Sequence, residues 1–341
     1  MKKSEKRQKL LKSKNSTLIL LLAVMTLFFW LFSPNHSFLS IRNVTSILNS
    51  MTIQALFVVA EALLIIMGEL DLSPGYVGTA CGALMANLLA GTSLPWIVVV
   101  VICLLFGAAF GFLNALLVNK FGFQSFIATL ATGAFVAKGL GFVVCNGKAI
   151  GIKNPAITWI GTSKIGGVVP FAILIALVAM VVYGIILAKT KFGRSIYICG
   201  GNREAARLAG LKPQKVSYIL FVNSGMLGAL AGMLYAARLC SGNLDGTNNY
   251  AFPALTAAVL GGVSFGGGSG SIFGCFLGLL IISGFNNGLL IMGLSPYWIN
   301  VASGLLLLLA LTMDYFANRK TGGSLIGRLF RFRQTRLEEQ K

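Results

Sequence analysis

The sequence predicts an all-α polytopic membrane protein of about ten transmembrane helices, with a short cytoplasmic helix between the sixth and seventh. Three observations predict it. Of 341 residues, 56% are apolar and only 11% are charged, against about 25% charged in a soluble domain; so few charges cannot coat a soluble globule. Apolar runs reach the roughly 20 residues that a spanning helix needs: Thr17 to Phe32 is almost unbroken, and Ile97 to Val118 carries no charge. The basic residues flank these runs. Seven Lys/Arg within residues 1–14, seven within 189–215 and seven within 319–341 hold three quarters of the 28, for a net charge of +19. Basic clusters beside spanning helices mark the cytoplasmic side, so this charge reads as topology, with no nucleic-acid partner.

In chain order the spans read as 16–33, 46–68, 75–91, 95–118, 123–144, 165–188, 216–238, 252–265, 269–292 and 297–316. The first run is long and no small-residue cleavage site follows it, so it reads as a span. The eighth is short, and parity supports it. Six spans separate the basic N-terminus from the 189–215 loop, and four must then separate that loop from the C-terminus. With three, Arg328, Arg331, Arg333 and Arg336 would lie outside. The organisation expected is a basic cytoplasmic tail (1–15), a membrane domain (16–316) with a cytoplasmic loop (189–215), and a second basic cytoplasmic tail (317–341).

The segment 145–164 then falls outside although it carries Lys148 and Lys153. These are either solvated lysines or a docking surface for an acidic external partner. The six cysteines form no C-x-x-C pair and His36 is the only histidine; neither residue type supplies a disulfide framework or a metal site. Gly107/Gly111, Gly228/Gly232 and Gly270/Gly274/Gly278 are spaced to put small residues on one helix face, which lets backbones approach.

Three loop segments carry chemistry. In the 189–215 loop, Asn202 is a good N-cap, Glu204 sits in the first turn, Gly210 suits a left-handed terminus and Pro213 follows as a stop. A helix of about two turns is predicted there, and one so short needs something to pack against. The string Gly68-Glu69-Leu70-Asp71-Leu72-Ser73-Pro74-Gly75 puts two carboxylates and a helix break between apolar stretches. It is either a solvated turn or irregular backbone at membrane depth, which is tolerated only inside protein or along a cavity, with Glu69, Asp71 and Ser73 as pathway or gating candidates. Between Ala257 and Gly274, Gly261, Gly262, Gly267, Gly268 and Gly270 permit a broken helix. Within the spans, Glu61 is the one mid-helix carboxylate. It is a pathway or gating residue, or else a buried strut. Asn114 is a pathway candidate or a helix–helix hydrogen-bonding group.

These strings resemble a known family. Glu204-Ala205-Ala206 with Gly210, preceded by Gly193-Arg194-Ser195 and Gly200-Gly201-Asn202, is similar to the EAA loop of permeases in ATP-binding-cassette importers, and in its full length to the ribose/galactoside/xylose type. The 68–75 string and the 257–271 glycine region resemble two further elements of that family, and the likeness covers about residues 40–316. Pro74 and Ser269 depart from it, where a small aliphatic residue and an arginine are usual. The resemblance implies alternating access in a bacterial cytoplasmic membrane. It implies a separate ATPase subunit that holds ATP and Mg and seats the 202–210 helix, an extracytoplasmic solute-binding protein, and a second permease copy. Lys148 and Lys153 would face the binding protein.

No phosphate-loop lysine follows the Gly266–Gly270 run, and no nucleophile elbow or H-E-x-x-H occurs, so an enzyme is poorly supported. The reading is a permease subunit for a monosaccharide or similar small polar solute. Alternatives are the same architecture for a polyol, nucleoside or sugar-derived signal, and an ion-coupled secondary transporter, which also uses broken helices.

Overall fold

The computed structural model describes residues 14–319; most of the basic tails expected at 1–15 and 317–341 lies outside the described residues. Helices stand at all ten places where spans were expected: α1 (Lys14–Phe32), α2 (Ile41–Ile66), α3 (Pro74–Gly91), α4 (Trp96–Asn119), the fifth in two pieces, α5 (Ser125–Ala131) and α6 (Lys138–Cys145), then α8 (Ala172–Lys189), α11 (Pro213–Leu239), α12 (Ala251–Leu260), α13 (Ile272–Ile291) and α14 (Pro296–Arg319). A π-helical turn, Thr132–Ala137, joins α5 to α6. Eight of the ten are long and apolar enough to cross a bilayer. The other two, α3 and the ten-residue α12, are largely buried inside the bundle.

The centre of the bundle is α2, which packs on α8, α11, α12 and α13. From Met51 to Ile66 it is apolar on every side apart from Thr52, Gln54 and Glu61, and a helix hydrophobic all round belongs inside; 89% of its most apolar window is buried. At the periphery, α1 and α14 bury 11% and 6% of theirs. Their Leu20, Phe28, Leu308 and Phe316 face outward, where lipid replaces water as the solvent. Through small residues α11 packs on α3 and α4. A Cβ on Gly232 would fall 1.8 Å from the Gly78 carbonyl oxygen, and one on Gly225 would fall 2.1 Å from that of Gly107. Only glycine permits this backbone-to-backbone contact.

Two segments differ from expectation. Residues 145–171 were read as a loop followed by the start of a span, but they fold into a cap. Strand β1 (Ile150–Gly151) pairs antiparallel with β4 (Ser241–Gly242), α7 (Pro155–Thr162) packs on α11, and β2 (Lys164–Ile165) turns back onto β3 (Val169–Pro170). Asn154 caps α7 through Ala156 and Ile157 N–H, and Gly166 and Gly167, both at positive φ, make the turn. The sixth span therefore begins at Ala172 and not at 165. The second difference is α9 (Lys191–Gly201), which precedes the short helix α10 (Arg203–Leu208). Three glycines lower helix propensity there. The Thr190 hydroxyl starts the helix by accepting from Gly193 N–H at 3.0 Å.

Candidate functional site

The three loop motifs, far apart in sequence, meet at one end of the bundle. α2 ends in a glycine cap: Gly68 has φ +80°, its N–H donates to Ile65 O at 2.9 Å, and Glu69 N–H donates to Leu64 O at 2.9 Å. This pairing satisfies the last carbonyls and turns the chain out of the helix. The backbone from Glu69 to Ser73 then belongs to no helix or strand. Its N–H groups find side chains on α5, Leu70 N–H donating to Ser125 Oγ at 3.2 Å and Leu72 N–H to Thr129 Oγ1 at 3.1 Å.

Asp71 lies fully buried at the middle of this stretch. Its Oδ1 accepts from Ser73 N–H at 2.9 Å and Ser73 Oγ at 2.6 Å, and its Oδ2 accepts from Ser224 Oγ of α11 at 2.8 Å. Asn114 of α4 donates through Nδ2 to Ser73 Oγ at 2.8 Å and accepts from Thr132 Oγ1 of the π-turn. Four elements are thus tied to one carboxylate, all by buried groups. Satisfied networks of this kind rigidify a core. Asp71, Ser73 and Asn114 come together as predicted candidates. Ser224 and Thr132 were missed, since a lone hydroxyl in an apolar span carries no motif. Glu61, by contrast, is buried at 1% exposure, and among the described residues neither carboxylate oxygen meets a donor in good geometry.

The short helix α10 sits beside this stretch. Asn202 Oδ1 accepts from Glu204 and Ala205 N–H, both at 2.9 Å. Gly210, at φ +79°, ends the helix, with its N–H on Arg207 O and Leu211 N–H on Ala206 O. One face is held by the chain itself, through buried Ala206; the other is free, with Glu204 and Ala205 exposed and Leu208 91% exposed. Arg203 opens α10, and its guanidinium Nη2 donates to Glu69 Oε1 in an ion pair; the Glu69 side chain is 7% exposed and that of Arg203 43%. Arg203 stood in the motif, but its partner 134 positions away was not legible.

The glycine region completes the assembly. It runs from α12 to α13, with Gly262, Gly267, Gly268 and Gly270 at positive φ. Gly268 N–H donates to Ile66 O at 2.8 Å, and Tyr197 of α9 donates to Gly270 O at 2.7 Å. A Cβ on Gly200 would meet Ile66 O at 1.7 Å, so α9 lies directly on the end of α2. Gly261 packs on Gly274 across the α12–α13 pair. Gly193 is buried against the end of α8, whereas Arg194 and Gly201 are exposed. Lys148 and Lys153 are both exposed on the cap at the opposite end of the bundle.

A bundle of lipid-facing helices around a buried central helix, with irregular backbone held inside it and a stiff, half-free connector at one end, defines a multi-pass membrane permease. A profile of the family described as branched-chain amino acid transport system / permease component matches residues 43–311, and the chain belongs to that family. It is similar to the ribose import permease protein RbsC of Haemophilus influenzae, 33% identical over 307 residues, covering 89% of this chain and 92% of the relative. It is also similar to RbsC of Bacillus subtilis, 35% identical over 282 residues with 82% and 87% covered. The L-arabinose transport system permease protein AraH of Escherichia coli is 33% identical over 260 residues, with 74% and 76% covered.

Proposed function

We propose that this chain is the membrane-spanning permease subunit of an ATP-driven, binding-protein-dependent importer of a monosaccharide, a pentose such as ribose or arabinose being the favoured cargo. The observation that carries the reading is α10, capped at both ends, anchored through Ala206 and the Arg203–Glu69 pair, and presenting Glu204 and Leu208 outward. An apolar side chain left this exposed beside a carboxylate fits a socket on another protein. That partner is a separate ATPase subunit, on which ATP and Mg bind. The 191–212 segment and both termini are cytoplasmic, in a bacterial cytoplasmic (inner) membrane. The exposed Lys148 and Lys153 receive the extracytoplasmic binding protein, and a second permease copy completes the translocation unit.

In this mechanism the ATPase moves α10, Arg203 carries the displacement to Glu69, and the 68–75 stretch carries it to the Asp71 network that ties α4, α11 and the π-turn. Glu204→Lys tests the reading. Uptake of labelled ribose and arabinose should fall at least about tenfold, a loss of roughly 1.4 kcal/mol or more of coupling, while the amount of chain in the membrane is unchanged. Full uptake by this variant would remove the ATPase-docking role of α10.

A further inference from the structure

At the end of the bundle remote from α10 lies a cavity of about 340 Å³. It is walled by the first half of α2, the segment entering α12, the second half of α13 and the first turn of α14. Five amide side chains line it: Gln54, Asn249, Asn286, Asn287 and Asn300. Asn249 and Asn300 are exposed and form its rim, while Gln54 and Asn287, 5% and 9% exposed, form its floor. Ser283 Oγ donates to Gln54 Oε1 at 3.2 Å, and Ser303 Oγ donates to Asn286 Oδ1 at 2.9 Å. Among the described residues, Gln54 Nε2 and Asn287 Oδ1 have no partner. Buried polar atoms are nearly always paired, and a polar cluster inside a membrane bundle marks a pathway.

We infer that this cavity is a solute subsite of the permease, built for one uncharged polyhydroxylated molecule. The inference rests on the sugar-importer reading and adds the place and the residues of recognition. Three features set the ligand class. First, none of the lining residues is ionised at neutral pH. A phosphate, carboxylate or ammonium group would enter without a counter-charge, at a large desolvation cost. Second, an amide offers both donor and acceptor, and so matches hydroxyls, which do both. The unpaired Gln54 Nε2 donates and the unpaired Asn287 Oδ1 accepts, so the floor supplies one of each. Third, Tyr250 lines the cavity and is fixed by ring contacts to Phe57 at 5.8 Å and Tyr235 at 6.1 Å. It gives an apolar face beside a polar wall, as small-ligand sites do. The volume is near the lower end of such sites, about 300–1,000 Å³, and suits one monosaccharide.

The test uses the full chain with its partner subunits in cells lacking other pentose uptake. Maximal uptake rates of labelled D-ribose and L-arabinose are compared for wild type, Gln54→Ala, Asn287→Ala and the rim variant Asn300→Ala, with membrane abundance checked by immunoblot. The two sugars present hydroxyls in different configurations, so removing one amide should weaken one sugar more than the other. The ribose-to-arabinose rate ratio should shift by roughly fivefold, the effect of one hydrogen bond to a neutral ligand. A folding defect would lower both rates in proportion. Because the exposed Asn300 carries little of the core, its variant keeps the test open if the floor variants fold poorly. An unchanged ratio in all three variants, with wild-type uptake intact, overturns the subsite and leaves the importer reading standing. Absence of uptake of both sugars by wild type overturns both.

Discussion

At the scale of single residues, two of the buried carboxylates, Asp71 and Glu61, behave oppositely. Asp71 is saturated by three donors, and each is left without its acceptor when the carboxylate is removed. Asp71→Ala should therefore destabilise the chain by about 3 kcal/mol, read as a lower thermal midpoint in detergent, and Ser224→Ala by about 1 kcal/mol. Among the described residues, Glu61 meets no such donor in good geometry. Glu61→Gln keeps the shape without the charge. Uptake should stay within about twofold of wild type, the effect of losing at most a weak contact. Loss of uptake in Glu61→Gln, together with sensitivity to protonophore at constant ATP, would instead identify an ion-coupled transporter. The Arg203–Glu69 pair is half open to solvent on the arginine side, so its net contribution to stability is at most about 1 kcal/mol. Its value is positional. Arg203→Glu should reduce uptake, and the swap Glu69→Arg/Arg203→Glu should restore part of it, a rescue measured against each single variant.

At the scale of elements, much was legible and for definite reasons. Runs of about 20 apolar residues located eight of the ten spans because a bilayer imposes length and apolarity together. Parity of basic clusters asks for a short eighth span, and the ten-residue helix α12 stands at that place. Asn202 and Gly210 fixed both ends of α10, because capping is a local event that reads directly from sequence. What sequence did not disclose was set by distant partners. Strand β1 exists because Ser241–Gly242 lies beside it, and α9 exists despite three glycines because two of them, Gly193 and Gly200, permit its docking. The site divided in the same way. Glu204, Asp71 and Gly268 stood in recognisable strings. Ser224, Thr132 and the amides of the cavity are isolated polar letters in apolar runs, and only the fold shows what they face. Gly210→Ala, at φ +79° with open space around it, should cost roughly 1 kcal/mol from backbone strain alone. It should leave membrane insertion intact and weaken ATPase association in a pull-down.

At the scale of the whole molecule, the two ends of the bundle hold different chemistry. One end gathers the three loop motifs around the end of α2; the other carries the amide cavity and the lysine-bearing cap. Lys148→Glu with Lys153→Glu should weaken docking of the binding protein and raise the sugar concentration needed for half-maximal uptake, most clearly at low salt, where exposed charges are least screened. An affinity indifferent to both reversals and to salt would relocate the docking face. The contact of Gly200 with Ile66 O has one further consequence, which is mechanical. With no side chains between the two backbones, there is no soft layer to compress. A push on α10 cannot be absorbed at that joint: α9 can slide along the end of α2 or lift from it, but cannot sink into it. If an ATPase moves α10 as proposed, such a stiff joint would pass a short stroke at the surface to the central helix with little loss.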